Sequence, residues 1–390
     1  MGGAPHGEGA SAVEYSLSQR RRLWLYTVLC PAIDRFARIV RRIAPPEEIF
    51  DSPPAQLESI VGAETLARMR RLNTDAYIDA LIERLEARGV SFICRGDDDY
   101  PECFEQLTDF IVAPEVLFVR GAHEFPGRAV AVVGTRACTP DGARIASDFA
   151  RDFARAGVAV VSGMAVGIDA AAVEGALDGG GRALCVLGCG VDVPYPAENQ
   201  KLVRRMLEAG GTLVSEYLPG MGANRAFFPV RNRIIAALAA GTLVVQAPAR
   251  SGALNTATHA LNCGRDVFVV PGSILDAKFA GSNALLRDGA APALESRDVL
   301  EMLGFVRVEA EQKTAQRSAT QAAPEPGGLT DDELTVVRLL YEGERSFDEI
   351  ISQTELDTAK LNSLLTMLKI KGIIDETTGK HYRISGRAKP

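Results

Sequence analysis

The spacing of apolar positions changes twice along the chain. From Leu17 to about Arg88 it follows a helical period. Leu23, Leu25, Val28, Ile33, Phe36 and Ile39 form one apolar group, Leu57, Ile60, Val61, Leu66, Met69 and Leu72 a second, and Tyr77, Ile78, Leu81, Ile82 and Leu85 a third. An all-helical module over residues 15–88 is expected, preceded by a Gly/Ala/Ser-rich stretch, 1–14, expected to be disordered. From Gly89 short apolar runs take over: Val90–Cys94, Val116–Val119, Val130–Val133, Val158–Val161, Ala183–Leu187, Thr212–Ser215, Leu243–Val245 and Val267–Val270. Helical patterns lie between most of the later runs, at Asp141–Ala156, Asp169–Leu177, Asn199–Ala209, Arg231–Leu238 and Ser251–Cys263. Continuous apolar strands alternating with helices predict an α/β fold, a Rossmann-like doubly wound parallel sheet covered on both faces, over residues 89–307.

The second change comes at residues 308–329, a Pro/Gly-ended stretch of low hydrophobicity that reads as a linker. Beyond it three helical patterns, Asp331–Tyr341, Phe347–Ser352 and Thr358–Lys371, precede a β-hairpin pattern over Ile373–Ile384 that turns at Thr378-Gly379. Three helices and a hairpin predict a winged-helix domain over residues 330–390.

Composition refines this picture. No apolar run reaches the ~18–20 residues that a bilayer span needs, and the start has no basic region followed by an apolar one. Seven cysteines in 390 residues are no disulfide framework, and with four histidines they are too scattered for a zinc site. The expectation is a reduced, cytoplasmic protein with no metal, no cofactor and no membrane partner. A net charge of −7 argues against a protein that grips duplex DNA through a general positive coat. A local basic groove remains open.

In an open α/β sheet, ligands bind outside the carboxyl ends of the strands. The residues that follow each strand here are Gly134-Thr135-Arg136, Ser162 to Asp169, Gly188-Cys189-Gly190, Glu216-Tyr217, Gln246 to Gly252, and Pro271-Gly272-Ser273. One small, glycine-bearing loop means little; a whole rim of them predicts an anion site lined by backbone. Ser162, Gly163 and Gly167 open a helix whose first N–H groups favour an anion. Arg136 follows a glycine, and its planar fork suits phosphate oxygens, the alternative being a surface ion pair. Arg231, Asn232 and Arg233 are read as opening a helix, where cations are disfavoured unless an anion sits between them; two solvated arginines are the alternative. Ser251-Gly252 is either a ligand-facing hydroxyl with free N–H groups or a plain helix cap. Tyr195, between Pro194 and Pro196, is either a platform for a base or a packed lid, and Lys201 lies within reach of a backbone phosphate. The chain lacks G-x-x-x-x-G-K-[ST], and Val130 to Arg136 lacks G-x-G-x-x-G. Asp169, Asp192 and Glu216 show no nucleophile–base spacing, so no catalytic residue is assigned.

In series these loops resemble the DNA-processing protein A (Smf) family. The matching pieces are Asp99-Tyr-Pro101, Ala131 to Arg136, Val161 to Asp169, Leu187 to Asp192, Tyr195 to Asn199, Ser215-Glu216, Phe228 to Ile235, Ser251 to Thr256, Val270-Pro-Gly272 and Gly281 to Leu285. The resemblance implies an extended Rossmann-like core whose pocket takes the DNA backbone, with Arg136, Ser162, Gly163, Arg231 and Arg233 as backbone-binding residues. It further implies a homodimer, a helical module of the sterile-alpha-motif or helix-hairpin-helix kind, and delivery of single-stranded DNA to the RecA recombinase during natural transformation. Three positions depart from the family pattern. Val173 stands where a histidine is expected, Gln246 where a glutamate is common, and Cys30-Pro-Ala-Ile33 where related chains carry a G-I-G hairpin. The expected function is therefore a non-enzymatic single-strand DNA-binding protein. The alternatives are a nucleotide phosphoribohydrolase on the same architecture and a transcription factor led by the winged helix.

Overall fold

Nine strands set the frame of the larger unit, residues 1–307. The computed structural model describes residues 14–30, 46–49, 52, 54–105, 107, 111–306, 330–341, 343–354, 356–377 and 381–385. Residues 1–13 of the expected tail, the apolar positions Ile33, Phe36 and Ile39, the Pro31–Ile33 segment, the linker and the turn at Thr378-Gly379 lie outside the described residues.

The strands are β1 (Ser91–Cys94), β2 (Val116–Gly121), β3 (Ala129–Val133), β4 (Ala159–Ser162), β5 (Ala183–Val186), β6 (Thr212–Ser215), β7 (Gly241–Val244), β8 (Asp266–Val269) and β9 (Ala291–Pro292). Their order is β1-β2-β6-β5-β4-β3-β7-β8-β9. From β6 to β9 neighbours run parallel, whereas β1 and β2 form an antiparallel extension beyond β6. Every residue of β3 to β7 is buried, which is why these strands read as unbroken apolar runs.

The helices of this unit are α1 (Leu17–Leu29), α2 (Pro54–Val61), α3 (Ala63–Arg71), α4 (Asp75–Glu86), α5 (Pro140–Arg155), α6 (Ile168–Asp178), α7 (Gln200–Glu208), α8 (Phe227–Ala237), α9 (Gly252–Asn262), α10 (Ala280–Arg287) and α11 (Ser296–Met302), with a single turn at Pro46–Ile49. Side chains of α5, α6 and α7 pack on one face of the sheet, and those of α8 and α9 on the other. The amino-terminal helices share the first of these cores: Leu23, Trp24 and Ile78 join the cluster that holds Phe92 and Phe118 of the antiparallel extension. Tyr26 of α1 donates its hydroxyl to the Glu216 carbonyl just past β6.

One helix starts earlier than the sequence suggests. α8 begins at Phe227, so Arg231 and Arg233 lie past its first turn and do not open it. The reason is Pro229, which reads as a break. In the first turn a proline costs nothing, because the N–H it lacks has no partner there anyway. The dipole argument for an anion between the two arginines therefore falls.

The smaller unit, within residues 308–390, carries α12 (Asp331–Tyr341), β10 (Arg345–Ser346), α13 (Phe347–Ser352), α14 (Thr358–Ile370), β11 (Ile374–Thr377) and β12 (His381–Ile384). Its sheet runs β10-β12-β11 over a core that includes Val336, Leu340, Ile350, Leu361, Leu365 and Tyr382. Ser346 and Glu349 form a capping box at α13, and Asp357 caps α14. Glu333 is buried and takes a 2.6 Å bond from Lys371 and one of 2.9 Å from the Thr330 N–H. These two partners hold its carboxyl below the ordinary range.

Candidate functional site

The sheet reverses its winding at β3, with β4 on one side and β7 on the other. Chains leaving neighbouring strands in opposite directions open a crevice at their carboxyl ends. Here that crevice, about 260 Å³, is lined by Gly134, Thr135 and Arg136 after β3, Ala165 and Asp169 after β4, Phe228, Arg231 and Asn232 of α8, and Arg250, Ser251, Gly252 and Thr256 around the start of α9.

The first two loops are locked together. Thr135 donates its N–H to the Gln246 carbonyl, and its own carbonyl accepts from Ile168 at the start of α6. Gly167 adopts φ +88°, and a Cβ there would stand 2.5 Å from the Thr135 oxygen, so only glycine fits. Gln246 is fully buried and accepts from the Thr139 N–H at 2.9 Å, tying the β7 loop to the cap of α5. Replacing the family's usual glutamate by glutamine thus leaves a neutral side chain engaged in a structural bond.

The loop after β4 is not an empty cradle. Asp169 Oδ2 accepts from the Gly163 N–H at 3.1 Å and the Ala165 N–H at 3.4 Å, so the chain's own carboxylate sits where a phosphate was expected. Ser162 is buried and gives its hydroxyl to the Val132 carbonyl at 2.9 Å. Ser162 and Gly163 therefore serve the loop's interior, and their assignment as phosphate ligands is corrected: both donors are already used. Gly163 is small because a Cβ would lie 2.7 Å from both Arg231 Nη2 and Asp169 Oδ2. Met164 follows in the left-handed region at φ 55°, and Asn199 donates to its carbonyl at 2.9 Å.

Arg231 is buried beneath the crevice. Its Nη1 donates to the carbonyls of Gly163, at 3.0 Å, and Val186, and its Nε to Asn232 Oδ1 at 3.2 Å. Burial pushes the Asp169 carboxyl up, against the opposing pull of Arg231 and the two N–H groups, and pushes the Arg231 guanidinium down. Arg231 is thus the crevice floor, a fixed charge that neutralises Asp169. Asn232 passes its amide on to the Gly252 carbonyl and Asn255 Oδ1, joining α8 to α9.

Above this floor the groups are accessible. Arg136 is exposed and lies over the Phe228 ring with 5.2 Å from its Cζ to the centroid; Arg231 approaches the same ring at 5.8 Å. Tyr195 packs at 5.6 Å from Phe228 and stays 37% exposed. Arg250 is a second exposed arginine on the rim. Among the described residues neither Arg136 nor Arg250 makes an ion pair. Ser251 caps α9 by accepting from the Ala253 N–H at 3.3 Å, and Gly252 is exposed beside it. Phe228 and Arg250 were not singled out from sequence. The signal was present, an aromatic next to Pro229 and an arginine between a strand and a helix cap.

Of the expected residues, Ser162, Gly163, Gly167, Tyr195, Lys201 and Arg233 do not line the crevice itself. Lys201 is exposed on α7 but does not line it. Arg233 points from the other side of α8 into a buried ion pair with Glu216, its Nη2 donating to both carboxylate oxygens at 2.7 and 2.9 Å, while Nε and Nη1 donate to the Val112 and Val230 carbonyls. Its fork has no free edge for a phosphate, so that assignment is also corrected. The third acid, Asp192, accepts from Arg88 at 2.8 Å and from the Gly220 N–H at 2.7 Å. Each of the three acids near the strand ends is thus tied to a structural donor. Among the described residues no group of three metal-ligating side chains occurs, and no helix is long and apolar enough to cross a membrane.

The profile of the DNA recombination-mediator protein A family matches residues 91–304, and that of the DprA winged helix domain matches residues 319–380. The putative DNA processing protein DprA of Mycobacterium tuberculosis (strain ATCC 25618 / H37Rv) is 35% identical over 377 residues, covering 92% of this chain and 93% of its own. The DNA processing protein DprA of Streptococcus pneumoniae (strain ATCC BAA-255 / R6) is 41% identical over 212 residues, covering 54% of this chain and 73% of its own. Among solved structures, that of DNA processing protein A (DprA) from Streptococcus pneumoniae superposes with a TM-score of 0.60 at 31% identity, covering 74% of this chain and 98% of that one. The relatedness extends over the sheet and the winged helix alike: the chain belongs to the DNA recombination-mediator protein A family.

Proposed function

We propose that the chain binds single-stranded DNA in the crevice at the carboxyl ends of β3, β4 and β7, and passes the strand to the RecA recombinase. The observation that carries this reading is Arg136: an exposed guanidinium, free of carboxylates among the described residues, held over Phe228 at the mouth of the crevice. Arg136 and Arg250 hold backbone phosphates, Gly134, Thr135 and Gly252 let the strand approach the rim, and Tyr195 offers a face to a base. Binding rather than catalysis is favoured by the engagement of Asp169, Asp192 and Glu216 in the frame. RecA as recipient, action in the cytoplasm during transformation and self-association rest on the family resemblance. For self-association the loop after β8 gives local support, with Ile274 and Leu275 91% and 93% exposed. The organisation read from the sequence, a helical module, a Rossmann-like core, a linker and a winged helix, belongs to this proposal too.

The test is binding of fluorescent single-stranded and duplex oligonucleotides across a salt titration. If about three to five phosphates are neutralised, the log–log salt slope is roughly −2 to −3.5. Tighter binding of duplex than of single strands, or affinity indifferent to salt, would sink the reading. Shortening of the lag in RecA's strand-dependent ATPase on precoated DNA tests the recipient. Ile274→Asp with Leu275→Asp, read by sedimentation, tests self-association.

A further inference from the structure

A second cleft, also about 260 Å³, lies beside the crevice and is not used by the site above. Its walls come from β2, β6, the 191–196 loop and α7. In the antiparallel register Arg120 of β2 pairs with Leu213 of β6, so both side chains stand on one face of the sheet. α7 covers that face, and Val203 and Leu207, one turn apart, with Arg204 and Glu208, also one turn apart, form two adjacent rows along the cleft. Val191 and Leu213 complete an apolar wall. Arg120 is half-buried and Arg204 exposed, and among the described residues neither makes an ion pair. The carboxylates here are Asp192, already neutralised by Arg88, and Glu208 on the rim. An apolar wall with two free guanidinium groups suits a group that is flat and apolar at one end and anionic at the other.

The cleft is continuous with the crevice. Leu187, Tyr195 and Pro196 line both this cleft and a small depression whose other walls include Arg136, Phe228 and Arg231, and these last three also line the crevice. A strand leaving Arg136 therefore crosses the exposed face of Tyr195 before reaching Arg120 and Arg204. We propose that this cleft is a second nucleotide subsite for the same single strand, taking a base against the half-buried Val193, Val203 and Leu207 and its flanking phosphates on Arg120 and Arg204. The inference rests on the single-strand reading of the crevice and extends it to the direction the strand takes, from the carboxyl end of β3 towards α7.

The experiment is a length series of fluorescent single strands, from about 4 to about 16 nucleotides, with wild-type full-length protein, Arg120→Ala with Arg204→Ala, and Glu208→Gln. Strands that fill only the crevice bind wild type and the double variant alike. For longer strands the double variant loses two phosphate contacts, worth about 25-fold in affinity at 0.1 M salt, and its salt slope flattens by about 1.4. Glu208→Gln removes the repelling carboxylate and tightens longer strands alone, a gain that a folding defect does not mimic. The subsite is overturned if the double variant binds every length as wild type does, or loses affinity equally at all lengths. Wild-type protein that binds no single strand of any length overturns the function itself, and the cleft with it.

Discussion

Replacing Arg233 by alanine separates the frame from the binding surface. The Arg233 guanidinium is buried against the nearly inaccessible carboxylate of Glu216, 1% exposed, and its removal leaves that charge without a partner. Breaking a buried pair from one side costs about 3–5 kcal/mol, and the Val112 and Val230 carbonyls also lose a donor. With a urea dependence of about 1–3 kcal/mol per molar, the unfolding midpoint falls by about 1 M or more. The chain supplies its own probe. Its one tryptophan, Trp24, is 1% exposed in the core that α1 shares with the sheet. Fluorescence of Trp24 through a urea titration of wild type, Arg233→Ala and the double variant Arg233→Met with Glu216→Leu gives the comparison. The double variant removes both charges and recovers most of the loss. The reasoning is refuted if Arg233→Ala keeps the wild-type midpoint while its affinity for single-stranded DNA falls and its salt slope flattens. That outcome would mean the fork meets phosphate.

Three further outcomes are expected. Arg136→Ala leaves the urea midpoint unchanged, weakens single-strand binding about fivefold at 0.1 M salt and flattens the salt slope by about 0.7, as measured by fluorescence anisotropy. Gly163→Ala pushes a methyl group between Arg231 and Asp169 and destabilises the larger unit by about 1–3 kcal/mol, read by the same tryptophan titration. In the smaller unit, Glu333 has a carboxyl held below its ordinary value of 4.5, so its stabilisation is complete above that value and is lost as pH falls through the lower folded one. Protection factors for hydrogen exchange over residues 330–385 in the full chain, taken relative to the intrinsic rate at each pH, accordingly fall on acidification below about pH 4.5, and Glu333→Gln reduces that fall.

Much of the sheet could be read from the order of residues because its physics is local. A parallel strand covered on both faces must be apolar throughout, as in Val130–Val133 and Val158–Val161, and its turn into a helix needs small residues. The use made of the charges was not legible. Whether Arg231 meets a ligand or the Gly163 carbonyl depends on a contact across 68 positions, and whether Arg233 is free depends on Glu216 past a different strand. Helical spacing places the two arginines on different sides of α8, but only the true start of that helix shows which side faces the crevice, and Pro229 masks it. The short helices α10 and α11 were not anticipated, since one turn or two of apolar spacing is too little to register. Phe228 escaped notice for another reason: a phenylalanine before a proline looks like ordinary core until two guanidinium groups and a tyrosine are found around its ring.

The carboxylate of Asp169, bonded to the N–H groups of the loop that follows β4, has a kinetic consequence. Two of the loop's donors, the Gly163 and Ala165 N–H groups, are engaged by the chain's own carboxylate. On the proposed function, encounter with a strand needs no ordering of these two donors, and association is governed by diffusion and by the field of the exposed arginines. On that same function, differences in residence time arise at the rim, where Arg136 and Tyr195 are exposed, and not at the buried floor.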